Sequence, residues 1–154
     1  MTVVGCEHIG IQVADVDRSA RFYQEALGFE LYDRLSRSDA YVQRVVGYPG
    51  VTLEIAMLRI PGTAVELEIL EYRDVERTPI DPATASPGTM HFSLFVEGLD
   101  ELYARLRERG VEFVSEVETS TAGTLAGGRV VYMKDPDGIR VELVELPEWR
   151  RSEG

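Results

Sequence analysis

Apolar and polar residues alternate over residues 8–13 (HIGIQV) and again over residues 91–96 (HFSLFV). A period of two is the mark of a strand with one buried face. Each stretch is followed by an aspartate, Asp17 or Asp100, and then by a run with helical spacing, RSARFYQEALG or ELYARLRERG. Ala20, Phe22, Tyr23, Ala26 and Leu27 mark the apolar side of the first run, and Leu102, Tyr103, Ala104 and Leu106 that of the second. A carboxylate at a helix start accepts the orphan backbone N–H groups, so Asp17 and Asp100 are expected N-caps, with Gly28 and Gly110 as stops. Further strands are expected over residues 29–35, 51–60 and 64–72, then over 111–117, 129–134 and 139–146. Turn residues Pro61-Gly62-Thr63 and Asp135-Pro136-Asp137-Gly138 join the last two strands of each half.

The chain is therefore written twice. His8 and Asp17 recur 83 residues later as His91 and Asp100, while Glu68 and Glu142 stand 74 apart. The nine extra residues of the first half are expected between Ser36 and Gly50. There the segment 41–50 (YVQRVVGYPG) is too apolar for a plain surface loop, and it is expected to cover a cleft or meet a second chain. The fold class is α+β: two tandem βαβββ modules forming a curved mixed sheet around a metal-binding cleft, with helices outside. The modules span 4–72 and 90–146. A linker at 73–89 holds Pro79, Pro82, Pro87 and Gly88, and a polar tail at 147–154 is expected to fray.

Composition narrows the function. Sixteen Lys and Arg against 27 Asp and Glu give a net charge of -11 over 154 residues. That balance excludes a nucleic-acid surface and docking on anionic membrane, but leaves room for a local basic pocket that holds one anion. Arg37, Arg44 and Arg140 are the candidates for such a grip. Cys6 is the lone cysteine, so an internal disulfide is impossible and a reducing compartment is expected; its thiol is expected to be buried and inert. No apolar run reaches membrane-spanning length, and residues 1–13 lack the pattern of a signal peptide, so a cytoplasmic location is expected.

The chain's two histidines, His8 and His91, open equivalent strands. Glu68 and Glu142 hold equivalent positions on the closing strands, within LEILE and ELVE. An inward-facing glutamate is costly unless it is paired or metal-bound. Glu66 shares a strand face with Glu68 and is its rival; the residues downstream of Glu68 fit the repeat better. Two imidazoles and two carboxylates make a mixed N/O site for Zn, Ni, Co, Mn or Fe(II). Such an ion could stabilise an enolate or enediolate while Glu142 or Glu68 moves the proton. Phe22, Tyr41, Tyr48, Phe92, Phe95 and Tyr132 are candidate aromatic lining for a cleft.

With these residues in place the chain resembles the vicinal oxygen chelate superfamily, which includes glyoxalase I, methylmalonyl-CoA epimerase, extradiol dioxygenases and bleomycin-resistance proteins. The resemblance runs over residues 4–146 and rests on EHIGIQVADVDRSARFYQEALGFEL, LEILEY, MHFSLFV and YMKDPDGIRVELVEL. It implies His8, Glu68, His91 and Glu142 as metal ligands, glyoxalase-type lyase or isomerase activity on a small molecule, and a homodimer. The four-ligand set is most similar to the bacterial glyoxalase I pattern. The alternatives are an Fe(II)-dependent extradiol-type dioxygenase and a non-catalytic drug- or metabolite-binding protein.

Overall fold

A computed structural model describes residues 2–82 and 85–151. The chain divides into two compact units, residues 1–79 and 80–154. The first contains β1 (His8–Gln12), α1 (Val16–Leu27), β2 (Glu30–Arg37), α2 (Ala40–Val46), β3 (Thr52–Arg59) and β4 (Glu66–Arg73). The second contains β5 (His91–Phe95), α3 (Leu99–Glu108), β6 (Glu118–Thr119), β7 (Arg129–Lys134), β8 (Arg140–Glu145) and α4 (Glu148–Arg151). Each unit holds a four-stranded mixed sheet, ordered β1-β4-β3-β2 in the first and β5-β8-β7-β6 in the second. In both, the opening strand runs parallel to the closing one, and the remaining pairs are antiparallel. The α+β class and the βαβββ plan expected from the repeat are present in each unit, as one four-stranded sheet apiece.

In the first unit, α1 buries Val16, Ser19, Ala20, Tyr23 and Ala26, a spacing that keeps one side of the helix inward. It packs on β3 and β4, whose Ala56, Leu58, Leu67 and Ile69 are fully enclosed. Each large aliphatic side chain removed from water this way contributes about 1.5–3 kcal/mol. The helix stops at Gly28, which adopts φ 72°, while the next amide, Phe29 N–H, reaches back to Tyr23 O. Stacking of Tyr23 on Phe29, with ring centroids 5.6 Å apart, closes this C-terminal motif.

Neither expected aspartate caps its helix. Asp15 is the N-cap of α1, its carboxylate accepting from Arg18 N–H, and Asp17 lies inside the first turn, paired with Arg34 at 3.0 Å. The α3 helix begins after Gly98, which carries no side-chain cap, and Asp100 takes both terminal nitrogens of Arg129. The displaced capping role falls in part to the closing strands. Glu71 accepts from Val16 N–H at 3.1 Å, and Glu145 accepts from Gly98 N–H at 3.0 Å. The second glutamate of each repeated motif thus ties a helix start to its sheet.

The nine extra residues of the first half contain a helix that the hydrophobic pattern did not predict. Asp39 caps α2 by accepting from Tyr41 and Val42 N–H. Val42 and Val46 pack on Val51, Leu53, Ile55 and Leu70, so α2 covers part of the sheet face opposite α1. The expected strand at 111–117 is not regular. Lys134 N–H reaches Glu112 O and Val114 N–H reaches Tyr132 O, but the chain then leaves β7. Glu116 turns towards α3, where Tyr103 and Arg107 bind its carboxylate, and pairing resumes only at Glu118–Thr119. Ala104 is exposed, so it does not extend the buried side of α3.

Cys6 is exposed, because it precedes the first paired residue of β1. The described part of the tail does not fray: Trp149 Nε1 donates to Ala126 O and Arg150 to Thr124 O. The expected linker lacks regular structure over its described residues beyond the end of β4; Ala83 and Thr84 lie outside them. Among the described residues no helix is long and apolar enough to cross a membrane.

Glu71 is 6% exposed. Its hydrogen bond from Arg73 holds its carboxyl below the usual carboxylate range, against the opposing effect of burial. Because its folded-state pKa is lowered, the stability it contributes is present above the ordinary carboxylate value and is lost as the pH falls through the folded value. Glu71→Gln is expected to cost about 1–3 kcal/mol at neutral pH and to make stability less acid-sensitive than in the wild type. Urea unfolding at neutral and acidic pH measures both. Equal wild-type and variant stability at neutral pH would refute the capping role.

Candidate metal centre

The strand registers arrange one face of each sheet in rows. In the first unit, Glu66 on β4 lies beside His8 on β1 and Arg59 on β3. The next row on that face is Gly10, Glu68 and Met57, and the third is Gln12, Leu70 and Ile55. In the second unit the rows are His91, Arg140 and Lys134; then Ser93, Glu142 and Tyr132; then Phe95, Val144 and Val130. The histidine is thus one row from the candidate glutamate, on the adjacent strand, in both units.

Directly beside each glutamate is a small residue, Gly10 or Ser93. A Cβ built on Gly10 would lie 3.7 Å from Glu68 Oε2, so the lack of a bulky side chain leaves the carboxylate room to lean towards the imidazole. The result is His8 Nε2 at 3.2 Å from Glu68 Oε2, and His91 Nε2 at 3.7 Å from Glu142 Oε2. Side-chain exposures match as well: 39% and 22% for the first pair, 40% and 17% for the second. Each pair is reachable from solvent at the imidazole and mostly enclosed at the carboxylate.

Surrounding groups distinguish the two pairs. Glu7 takes Nδ1 of His8 and is the largest cause of that imidazole's raised pKa, outweighing the opposing effect of burial. This contact leaves Nε2, the nitrogen facing Glu68, as the one that could meet a metal, the usual arrangement of a carboxylate-oriented histidine ligand. Glu66, the rival of Glu68, instead accepts from Tyr32 OH at 2.5 Å, and that bond pushes the tyrosine up to about 12. In the second unit Tyr132 OH is 3.2 Å from His91 Nε2, with the rings edge to face. Burial is the main cause of the raised pKa of Tyr132, followed by the Glu142 charge.

Sequence reasoning missed Glu7 as a partner of His8, although adjacency alone suggested it. Counting outward from the Asp135–Gly138 turn would have placed Tyr132 beside Glu142. Of the other aromatics, Phe92 is buried, Phe22 packs edge-on against Tyr23, and Tyr48 meets Tyr72. Tyr41 and Phe95 are exposed.

The donor types fit a divalent first-row ion. With metal–ligand bonds of about 2.0–2.2 Å, two donors at neighbouring coordination positions stand roughly 3–3.5 Å apart. Each His–Glu pair is at or near that separation. The structure brings together His8 with Glu68 and His91 with Glu142; among the described residues no group of three or more His, Cys, Asp or Glu side chains is assembled to hold a metal.

Comparison with known proteins places these features in context. The family model for the glyoxalase/bleomycin resistance protein/dioxygenase superfamily matches residues 5–143. A 2-epi-5-epi-valiolone epimerase from Actinomyces sp. is 32% identical over 148 residues, covering 94% of this chain and 80% of that protein. A lactoylglutathione lyase from Haemophilus influenzae is 29% identical over 140 residues, covering 90% of each chain. The crystal structure of a glyoxalase family protein from Bacillus cereus superposes with a TM-score of 0.82 at 23% identity, covering 96% of this chain and 97% of that one. At that identity it shows a shared fold.

Glu7→Gln is expected to lower the His8 pKa towards its ordinary value in metal-free protein, because the largest raising influence is removed. The imidazole C–H resonances followed by NMR against pH measure this, with His91 as the internal control. An unmoved His8 titration would contradict the Glu7 contact.

Proposed function

Because the chain belongs to the glyoxalase/bleomycin resistance protein/dioxygenase superfamily, we propose that it is a divalent-metal-dependent enzyme that moves a proton beside a substrate carbonyl. Its protein donors are His8 and Glu68 from the first unit and His91 and Glu142 from the second. The observation that carries this reading is the duplication of one imidazole–carboxylate pair, with matched register, spacing and exposure, in both units. Unrelated structural histidines have no reason to follow the repeat.

The bound ion supplies Lewis acidity, which polarises a carbonyl and lowers the cost of negative charge on its oxygen. The chain's own residues do the rest. Glu142 or Glu68 accepts the proton from the carbon next to the carbonyl, and the C–H electron pair passes into an enolate. Return of a proton to the opposite face of the same carbon inverts it, as in an epimerase. Return to the neighbouring carbon isomerises the substrate, as in glyoxalase chemistry. His8 and His91 hold position, with Glu7 fixing the orientation of the first ring. The epimerase relative favours a small hydroxy-ketone as the substrate type.

The test is wash-in of solvent deuterium into α-hydroxy-ketones, hemithioacetals and acyl-CoA esters by protein loaded in turn with Ni, Co, Zn, Mn or Fe(II). Metal-dependent exchange with at least one class is expected. Glu142→Gln should lower its rate by roughly 10²–10⁴-fold, the usual contribution of a positioned base. No exchange with any class under any metal would overturn the reading. Oxygen consumption with catechols under iron loading would replace it with dioxygenase chemistry.

A further inference from the structure

The three arginines that the sequence offers as grips for an anion differ in the structure. Arg37 is committed to Asp39 at 2.8 Å and lies over the Tyr41 ring. Arg44 is exposed in the last turn of α2. Arg140 alone of the three is drawn into the protein, and its Nε and Nη1 are buried with no hydrogen-bond partner among the described residues. Arg140 as a residue is half-buried, and guanidinium N–H groups that have lost water without gaining an acceptor are unfavourable.

The position of Arg140 gives that cost a purpose. Its neighbours across the sheet are His91 and Lys134, and Glu142 follows two residues later on the same face. Two carboxylates of this part of the sheet have other partners: Glu112 holds Lys134 at 2.9 Å, and Glu142 faces His91 at 3.7 Å. The repeat sharpens the contrast. Counting back two residues from each candidate glutamate, the first unit has Glu66 where the second has Arg140. Glu66 is satisfied by Tyr32 OH, while the matching guanidinium is not. One equivalent position is therefore anionic and hydrogen-bonded, and the other cationic with two nitrogens lacking an acceptor, in a chain whose net charge of -11 otherwise repels anions.

We propose that Arg140 binds an oxyanion of the substrate, a carboxylate or a phosphate, beside His91 and Glu142. This rests on the proposed function for its meaning, and it deepens that reading by making the substrate an anionic carbonyl compound. Guanidinium suits this task because it stays charged and offers several N–H donors in a fixed plane.

The test uses metal-free full-length protein, so it is independent of whether the metal chemistry is right. The Arg140 Nε–H resonance is assigned by its loss in Arg140→Lys and followed during titration with inorganic phosphate, and separately with acetate, at constant ionic strength against chloride. A saturable shift with phosphate, acetate or both is the expected result, and the stronger of the two names the source of the oxyanion. Calorimetry should show Arg140→Met weakening that binding by roughly tenfold or more, with far-UV circular dichroism unchanged. A resonance unmoved by either anion, or a folded Arg140→Met protein that binds as tightly as the wild type, would overturn the proposal. The wild-type titration decides the matter even if Arg140→Met fails to fold. Failure of metal binding or proton exchange would leave this result intact, and failure here would leave the metal reading intact.

Discussion

The parallel pairing of opening and closing strands is the constraint on which the rest of each unit depends. Parallel strands need a long crossover between them, and here the helix and the two middle strands supply it. The pairing fixes which residues stand side by side: Gly10 against Glu68 and Ser93 against Glu142, with each histidine one row away. A one-residue slip would turn every member of this set to the other face. Register is protected by the opposite face, where Leu67, Ile69, Val141 and Leu143 are fully enclosed. Core packing therefore holds the candidate donors in place, and they need contribute little to stability themselves.

The same closing strands carry a second kind of carboxylate. Three residues after Glu68 and Glu142, Glu71 and Glu145 point to the helix side and receive backbone N–H groups from the starts of α1 and α3. Glu71 is further held by Arg73, and Glu54, its cross-strand neighbour, by Ser36 and Arg34. One short motif thus provides a candidate metal donor on one face and a helix anchor on the other. The alternation of strand side chains is enough to separate the two roles.

Most of this architecture was legible because the chain repeats. The paired histidines, the glutamates at matched positions and the turns at Gly62 and Gly138 are local signals, reinforced by appearing twice. What failed were choices between neighbours. Asp15 caps α1 in place of Asp17, two residues later, because either could serve and the hydrophobic pattern cannot set a helix start to the residue. The stretch after Val111 alternates like a strand, yet Glu116 finds Tyr103 and Arg107 on α3 and draws the chain away. In the segment 41–50 the apolar content signalled a covering element, but the seven residues of α2, about two turns, are too few to show a helical period against the strands around it. That Nε and Nη1 of Arg140 lack an acceptor was invisible in sequence, since it depends on the three-dimensional surroundings of the side chain.

The duplicated His–Glu pairs are proposed to bind one divalent ion together. Elemental analysis of purified protein, after loading and desalting, beside His8→Ala, His91→Ala and Glu66→Gln variants, tests it most directly. Close to one divalent ion per chain is expected in the wild type and in Glu66→Gln, with marked loss in either histidine variant. Retention of the ion in both histidine variants, or none in the wild type with any of the five metals, would contradict it.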